Sequence, residues 1–164
     1  MKRTLAALAI AAALPLGACG FTPLYAAPGV APGLSSVEVV APKGRIGELL
    51  REELNDALAR KTGERPAYRL EMTYTQSRVG RGLREDNVVS RYELGLGVDY
   101  RLVDAASGAT LKSGHVDSEV TYDSEDQPYA GVAAQQDAEA RAAADAARRI
   151  HLELASWLAG RAGG

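Results

Sequence analysis

The amino-acid sequence predicts an α+β fold, a two-layer sandwich in which a four-stranded, mainly antiparallel sheet carries two helices packed on one face. Four segments alternate apolar and polar residues, two segments repeat apolar residues at three- and four-residue steps, and their order along the chain is βαβββα. Alternation of this kind is typical of antiparallel strands that are covered on one side only. The 164 residues, of which 46% are hydrophobic and 24% charged, suit one globular domain.

The amino terminus has the pattern of a secretory signal peptide. Lys2 and Arg3 precede an apolar stretch over residues 4–14, which is far shorter than the ~20 residues that span a bilayer. Small residues then lead to Cys19. We therefore expect residues 1–18 to be a signal peptide that is removed and that takes no part in the fold.

Cys19 is the only cysteine of the chain, and it lies where a signal peptidase would cut. The sequence Leu-Gly-Ala-Cys over residues 16–19 resembles the lipobox of bacterial lipoproteins, which implies covalent lipid on Cys19 and a membrane attachment through that lipid. Gly20, in place of aspartate, resembles lipoproteins that are sorted to the outer membrane. The alternative is an ordinary secreted protein in which the cysteine is coincidental.

The first half of the mature chain divides into a tether, a strand and a helix. Residues 19–35 are rich in proline, glycine and alanine, which predicts a lipidated amino terminus and an extended tether, and a single α+β domain is expected over 36–164. Residues 36–41 alternate and predict a short strand. Apolar residues at helical spacing predict a helix over 44–61, which Gly63 ends.

Three longer strands and a second helix complete the predicted domain. Residues 68–75 alternate, 91–102 alternate most regularly, and 110–122 form the last strand after a turn. Leu111 is out of phase with the apolar positions that follow it, which indicates a β-bulge near Ser113 and Gly114. The helix is predicted over 135–159, where small alanines on one face allow close approach to the sheet.

Composition and motifs argue against several functional classes. Nineteen basic and 21 acidic residues give a net charge of −2, and removal of Lys2 and Arg3 leaves 17 basic and 21 acidic residues. This balance is not that of a nucleic-acid binder. One cysteine and two histidines leave little for a metal centre, so no metal and no cofactor besides the covalent lipid are expected. The motifs of serine hydrolases, zinc proteases and phosphate loops do not occur, so we expect no catalytic residues and no enzyme activity.

The mature sequence resembles a known family. Cys-Gly-Phe-Thr-Pro-Leu-Tyr over residues 19–25 is similar to the start of the mature lipopolysaccharide-assembly lipoprotein family LptE. The alphaproteobacterial branch of that family is similar at Tyr-Arg-Leu-Val-Asp over 100–104, at 124–130, and at Asp-Ala-Glu over 137–139. The order of elements also matches the family's helix–sheet sandwich along the whole mature chain.

The resemblance implies a function at the outer membrane. Members of the LptE family are lipid-anchored on its periplasmic face, assemble with the β-barrel LptD, sit inside that barrel as a plug, and assist the transport and insertion of lipopolysaccharide, which they are expected to bind. Two alternatives stay open. One is a free-standing outer-membrane lipoprotein that binds another periplasmic ligand or envelope-assembly partner, and the other is a lipid-anchored hydrolase.

Three arginines form the predicted contact with lipopolysaccharide. Arg78, Arg81 and Arg84 fall in a glycine-containing segment that the pattern places in the connection between two long strands. Guanidinium groups bind phosphates through charge-assisted, bidentate hydrogen bonds, and glycines let a backbone approach a bulky head group. The alternative is a solvated hairpin tip on which the arginines only serve solubility.

The polar side of the most regular strand is the predicted partner surface. It presents Arg91, Glu93, Asp99 and Arg101, together with two glycines, on one side of the predicted sheet. A flat polar face of this kind suits a water-filled barrel lumen. The alternative is a strand whose polar side simply faces solvent.

Overall fold

The computed structural model describes residues 28–61, 63–83, 89–123 and 128–162, and it has the predicted α+β architecture. Three helices and four strands follow one another along these residues. In chain order they are α1 (Val30–Ser35), β1 (Val37–Val40), α2 (Arg45–Ala57), β2 (Tyr68–Leu83), β3 (Val89–Asp104), β4 (Thr110–Asp123) and α3 (Pro128–Ala162).

The four strands form one sheet in the order β1-β2-β3-β4. β1 is parallel to β2, because α2 carries the chain back between them, and β2, β3 and β4 are antiparallel neighbours. This confirms the mainly antiparallel sheet. The register between β3 and β4 shifts between Leu102 and Val103, which pair with Lys112 and Thr110, so the irregularity lies at Leu111, just before the predicted place at Ser113 and Gly114.

The hydrophobic core lies between the sheet and the helices. Because side chains alternate along a strand, one side of β3 buries Leu94, Leu96 and Val98. We call this side of the sheet the inner face. Two helices pack against it with fully buried apolar residues, among them Leu50 and Leu54 of α2 and Ala142, Ala143, Ala146, Ile150 and Leu154 of α3. The prediction of helices on one face of the sheet is confirmed.

The predicted tether is wrong for its last residues, because Val30–Ser35 forms helix α1. Val30 and Leu34 are four residues apart, lie on the same side of the helix, and are both buried in the core. Pro32 misled the prediction, since proline is tolerated in the first turn of a helix. Gly33 packs so closely that an added Cβ would lie 3.0 Å from Leu158 of α3. Residues 19–27 lie outside the described residues.

The helices and strands also differ from the predicted ones in length. β2 continues eight residues beyond the predicted end at 75, and α3 begins at Pro128 rather than at 135. Within the described residues, no helix combines the length and the apolar character that crossing a membrane requires.

Candidate functional site

The face of the sheet opposite the core is the candidate site. We call it the outer face. Its side chains are exposed or half-buried, and the described helices all pack on the other side. Its central members are Arg69, Glu71, Thr73, Thr75, Ser77 and Arg81 of β2, Arg91, Glu93, Gly95, Gly97, Asp99 and Arg101 of β3, and Ser113, His115, Asp117, Glu119, Thr121 and Asp123 of β4.

The structure places all four predicted partner residues, Arg91, Glu93, Asp99 and Arg101, on the outer face. Each of them forms an ion pair with a residue of a neighbouring strand. The pairs are Arg91 with Asp123 at 3.0 Å, Glu93 with Arg81 at 2.7 Å, Asp99 with His115 at 2.8 Å, and Arg101 with Glu71 at 2.7 Å. The sequence indicated the face but not these partners, which depend on the register.

The pair between Arg81 and Glu93 is bidentate. The Arg81 Nε and Nη2 atoms donate hydrogen bonds of 3.2 and 2.7 Å to the two carboxylate oxygens of Glu93. These hydrogen bonds lower the pKa of Glu93 and raise the pKa of Arg81. Both groups are exposed, so water and salt screen the pair, and it fixes the position of the two side chains more than it stabilises the fold.

His115 lies between two aspartates at the centre of the outer face. Its Nδ1 atom is 2.8 Å from an oxygen of Asp99, and its Nε2 atom is 3.1 Å from an oxygen of Asp117. Hydrogen bonds first to Asp99 and then to Asp117 raise the pKa of His115, because both carboxylates favour the charged imidazolium. Sequence analysis missed this group, since the two aspartates meet the ring only through the pairing of β3 with β4.

The two glycines of β3 open a trough along the outer face. In the register, Thr75 and Asp117 flank Gly97 on the neighbouring strands, and Ser77 and Glu119 flank Gly95. We call this feature, with a volume of about 210 Å³, the glycine trough. A larger cleft of about 780 Å³ lies further along the sheet, where its lining includes Val40, Pro42, Arg101 and His115. The outer face is therefore concave rather than flat.

The prediction that Arg78 and Arg81 lie in a loop is wrong. Both belong to β2, which stays paired with β3 up to Leu83 and Val89. Because side chains alternate along a strand, Arg81 lies on the outer face, whereas Arg78 lies on the inner face. The structure therefore does not bring these two guanidinium groups together. Arg84 lies outside the described residues.

Arg78 lies beside aromatic rings at the open end of the inner face. Its guanidinium is 4.9 Å from the centre of the Tyr92 ring and donates a 3.0 Å hydrogen bond to the side-chain oxygen of Gln135. Tyr92 in turn stacks on Tyr122 with 5.5 Å between ring centres. Within the described residues, Arg78 has no carboxylate within ion-pair distance, so its charge stays available to an anion.

Other predicted features are placed as follows. Cys19 and the signal peptide over 1–18 lie outside the described residues. His151, the second histidine, lies in α3, where burial lowers its pKa. The described residues contain no group of three or more His, Cys, Asp or Glu side chains that could hold a metal ion.

The similarity of the chain to known proteins identifies its family. The model of the family "LptE: Lipopolysaccharide-assembly" matches residues 34–154, which is most of the chain and nearly all of the described domain. The chain belongs to the LptE family. Because this match begins after residues 19–25, it is independent of the lipobox and of the sequence that follows it. This LptE-family protein therefore takes part in lipopolysaccharide assembly.

Solved structures agree with the membership. The crystal structure of a candidate lipoprotein from Caulobacter crescentus CB15 is 56% identical over 81% of this LptE-family chain and 97% of its own, with a TM-score of 0.72. The similarity to this Caulobacter protein agrees with the alphaproteobacterial type of the family. Rare lipoprotein B from Shewanella oneidensis (18% identity, 73% and 92% of the two chains, TM-score 0.55) and a lipoprotein B from Nitrosomonas europaea (22%, 74% and 82%, 0.54) share the fold. No curated protein matches the sequence.

Proposed function

We propose that this LptE-family protein is an outer-membrane lipoprotein, anchored at the periplasmic face by covalent lipid on Cys19, that assembles with an LptD-type β-barrel and plugs it. In that position it assists the transport and insertion of lipopolysaccharide. The observation that carries the proposal is the family match over residues 34–154. The lipobox over 16–19 supports the anchor, and the protein acts without catalysis or a metal.

The outer face is the proposed surface toward the barrel. It extends over β2, β3 and β4, and its charged side chains are already held in place by ion pairs between strands. Side chains that are fixed before binding lose little conformational entropy when a partner covers them. A polar, preorganised face of this kind suits contact with the hydrophilic interior of a barrel. The inner face is covered by the helices except at the end where Arg78 is exposed.

Lipopolysaccharide binding is proposed at the arginines, with Arg78 as the main contact. Arg78 keeps an uncompensated charge beside Tyr92, whereas Arg81 must first release Glu93. Arg84 follows β2 directly in sequence and is included in the proposal. A guanidinium bound to a phosphate forms strong charge-assisted hydrogen bonds, so one available arginine makes a substantial contribution.

The first experiment is affinity purification of the tagged full-length protein from detergent-solubilised outer membranes, with mass spectrometry of what co-purifies. We expect a large β-barrel protein in near one-to-one amount. Recovery of the folded, anchored lipoprotein without a barrel would contradict the plug. It would favour the second candidate function, a free-standing lipoprotein that binds another periplasmic ligand or envelope-assembly partner, for which the 780 Å³ cleft offers a site.

The second experiment compares Arg78→Ala with Arg81→Ala in binding to purified lipopolysaccharide. Loss of a charged hydrogen bond costs about 1.5–3 kcal/mol, so Arg78→Ala is expected to weaken binding by about tenfold or more, and less at high salt. Arg81→Ala should have a smaller effect, because Glu93 already engages its guanidinium. Unchanged affinity of the triple variant Arg78→Ala/Arg81→Ala/Arg84→Ala would remove the arginines from the proposal.

A further inference from the structure

The arginines of the outer face are matched by carboxylates of the same face. Four of them lie within 3.4 Å of an acidic partner on their own or a neighbouring strand. These pairs leave the end with Arg81 and Arg91 neutral, whereas Arg69 and Arg101 share Glu71 and leave one positive charge in excess at the other end. They are Arg69 and Arg101 with Glu71, Arg81 with Glu93, and Arg91 with Asp123.

The uncompensated charge at the centre of the outer face is negative. Among the residues that the structure describes, Glu119 has no cation within 4.0 Å, and Arg81, which it attracts from further away, is already hydrogen-bonded to Glu93. Asp99 and Asp117 share one imidazole, that of His115, and their side chains are 66% and 74% exposed. Even with His115 protonated, these three carboxylates are balanced by a single positive charge.

The shape of the same region leaves room for an extended peptide segment. Gly95 and Gly97 have no side chains to fill the central strand, so the walls of the glycine trough are the side chains of β2 and β4. Those strands are two strand spacings apart, about 10 Å. The hydroxyl oxygens of Ser77 and Thr75 lie over the two glycines, 2.7 and 3.0 Å from where added Cβ atoms would be, so a bound chain would contact these hydroxyls first. One wall, Thr75 and Ser77, carries hydroxyl groups, and the other, Asp117 and Glu119, carries carboxylates.

We propose that the glycine trough binds an extended, basic segment of the protein partner, with a lysine or arginine side chain of that segment between Asp117 and Glu119. The hydroxyl groups of Thr75 and Ser77 hydrogen-bond to the backbone or polar side chains of the segment. This inference rests on the proposed function and adds to it the chemistry of the partner. A phosphate-bearing lipid does not suit the trough, because the nearby arginines are paired and the remaining charge repels an anion.

Charge reversal tests the inference. The full-length double variant Asp117→Lys/Glu119→Lys is compared with wild type in the purification described above. Like charges at a contact cost several kcal/mol, so the recovered amount of barrel protein per lipoprotein should fall by at least about tenfold. The control is Glu52→Lys/Asp56→Lys, which makes the same change of charge on the exposed side of α2 and should recover as much barrel as wild type.

A second variant covers the case in which the reversal disturbs the fold. Asp117→Asn/Glu119→Gln keeps the shapes of the side chains and removes only their charge, so thermal unfolding should stay close to that of wild type while barrel recovery falls by a smaller factor. In addition, a photo-crosslinking amino acid at position 117 should attach to a segment of the barrel protein that contains lysine or arginine, and one at position 56 should not.

The outcomes separate the two proposals. A wild-type preparation without any barrel protein would remove the proposed function and this inference with it. A barrel recovered equally by wild type and by the reversal variant would remove the inference alone. A crosslink from position 117 to lipopolysaccharide, or to an acidic segment of the barrel, would also overturn it, because the occupant would then have the wrong chemistry.

Discussion

At the scale of single residues, Gly114 decides how the inner face packs. Gly114 lies opposite Tyr100 in the register, and an added Cβ would lie 2.5 Å from the Tyr100 hydroxyl oxygen and 2.6 Å from the ring carbon that bears it. The tyrosine ring therefore covers the glycine. Its hydroxyl donates a hydrogen bond to Glu153 of α3, and Lys112 lies 3.2 Å from the same carboxylate. Burial, and then the hydrogen bond to Glu153, raise the pKa of Tyr100.

Gly114→Ala is expected to destabilise the protein by about 1–3 kcal/mol, because the methyl group overlaps a ring that the core and Glu153 hold in place. The free energy of unfolding in urea, followed by circular dichroism, measures the effect. Gly160→Ala is the control. Gly160 lies in α3 with nothing within 4 Å of its added Cβ, so that change should stabilise by about 0.5–1 kcal/mol. A Gly114→Ala protein as stable as wild type would show that Tyr100 is not confined.

His115 is expected to titrate above the ordinary histidine value of about 6.5. Since its folded-state pKa is raised, its contribution to stability is fully present below the unfolded pKa and is lost as the pH rises through the folded pKa. Asp99→Asn removes the main cause and should lower the pKa of His115, as measured by an NMR pH titration of the ring protons. Asp123→Asn, whose carboxylate pairs with Arg91 instead, should leave it unchanged. An unshifted His115 in the wild type would contradict the observed contacts.

At the scale of helices and strands, the sequence predicts those segments in which burial of one side produces a regular pattern of apolar residues. The alternation in β3 identified both faces of the sheet, and Arg91, Glu93, Asp99 and Arg101 lie on one face as expected. The misses have a common physical reason. No buried side chain marks the first turns of α3, where Tyr129 and Val132 are exposed. β2 continues past residue 75 because the backbone of β3 supplies its hydrogen-bond partners, whatever the side chains. The ion pairs do not follow from spacing, since they depend on the register. The opposite faces of Arg78 and Arg81 follow from strand alternation only once β2 is known to continue past residue 75.

Most of the stability that α3 contributes to the protein should come from the side that packs against the sheet. Leu154 is fully buried, and Leu154→Ala is expected to destabilise the protein by about 2–5 kcal/mol through lost burial and a residual cavity. Leu152→Ala on the same helix is the matched control, because Leu152 is 46% exposed and its truncation should change stability by about 0.5 kcal/mol or less. Urea unfolding of both variants measures the difference. Equal losses would mean that α3 does not pack on the sheet by the side described.

At the scale of the whole molecule, the two faces of the sheet have separate roles. The inner face forms the core with α2 and α3, and the outer face, which carries glycines, hydroxyls and paired charges, is the surface that we propose for contact with other molecules. The amino-terminal end of the domain is fixed as well, because Val30 of α1 is buried against the rest of the core. Pro28 follows Cys19 by nine positions, so a lipid on Cys19 would keep the start of the domain within about 30 Å of the membrane surface.

Cys19→Ala is therefore expected to release the domain from the membrane without changing its stability, since Cys19 precedes Val30, the first buried core residue among those described, by eleven positions. The variant is exported with an ordinary cleavable signal peptide in place of residues 1–18, because an uncleaved signal would itself hold the chain in a membrane. Wild type should incorporate labelled fatty acid and sediment with outer membranes, because several acyl chains on one residue make the membrane attachment stable. The variant should incorporate none and, where the barrel partner is depleted, remain in the soluble periplasmic fraction. Because depletion excludes retention by the barrel, continued sedimentation of the unlabelled variant would show that the domain binds the membrane by itself and that the lipid is not its anchor.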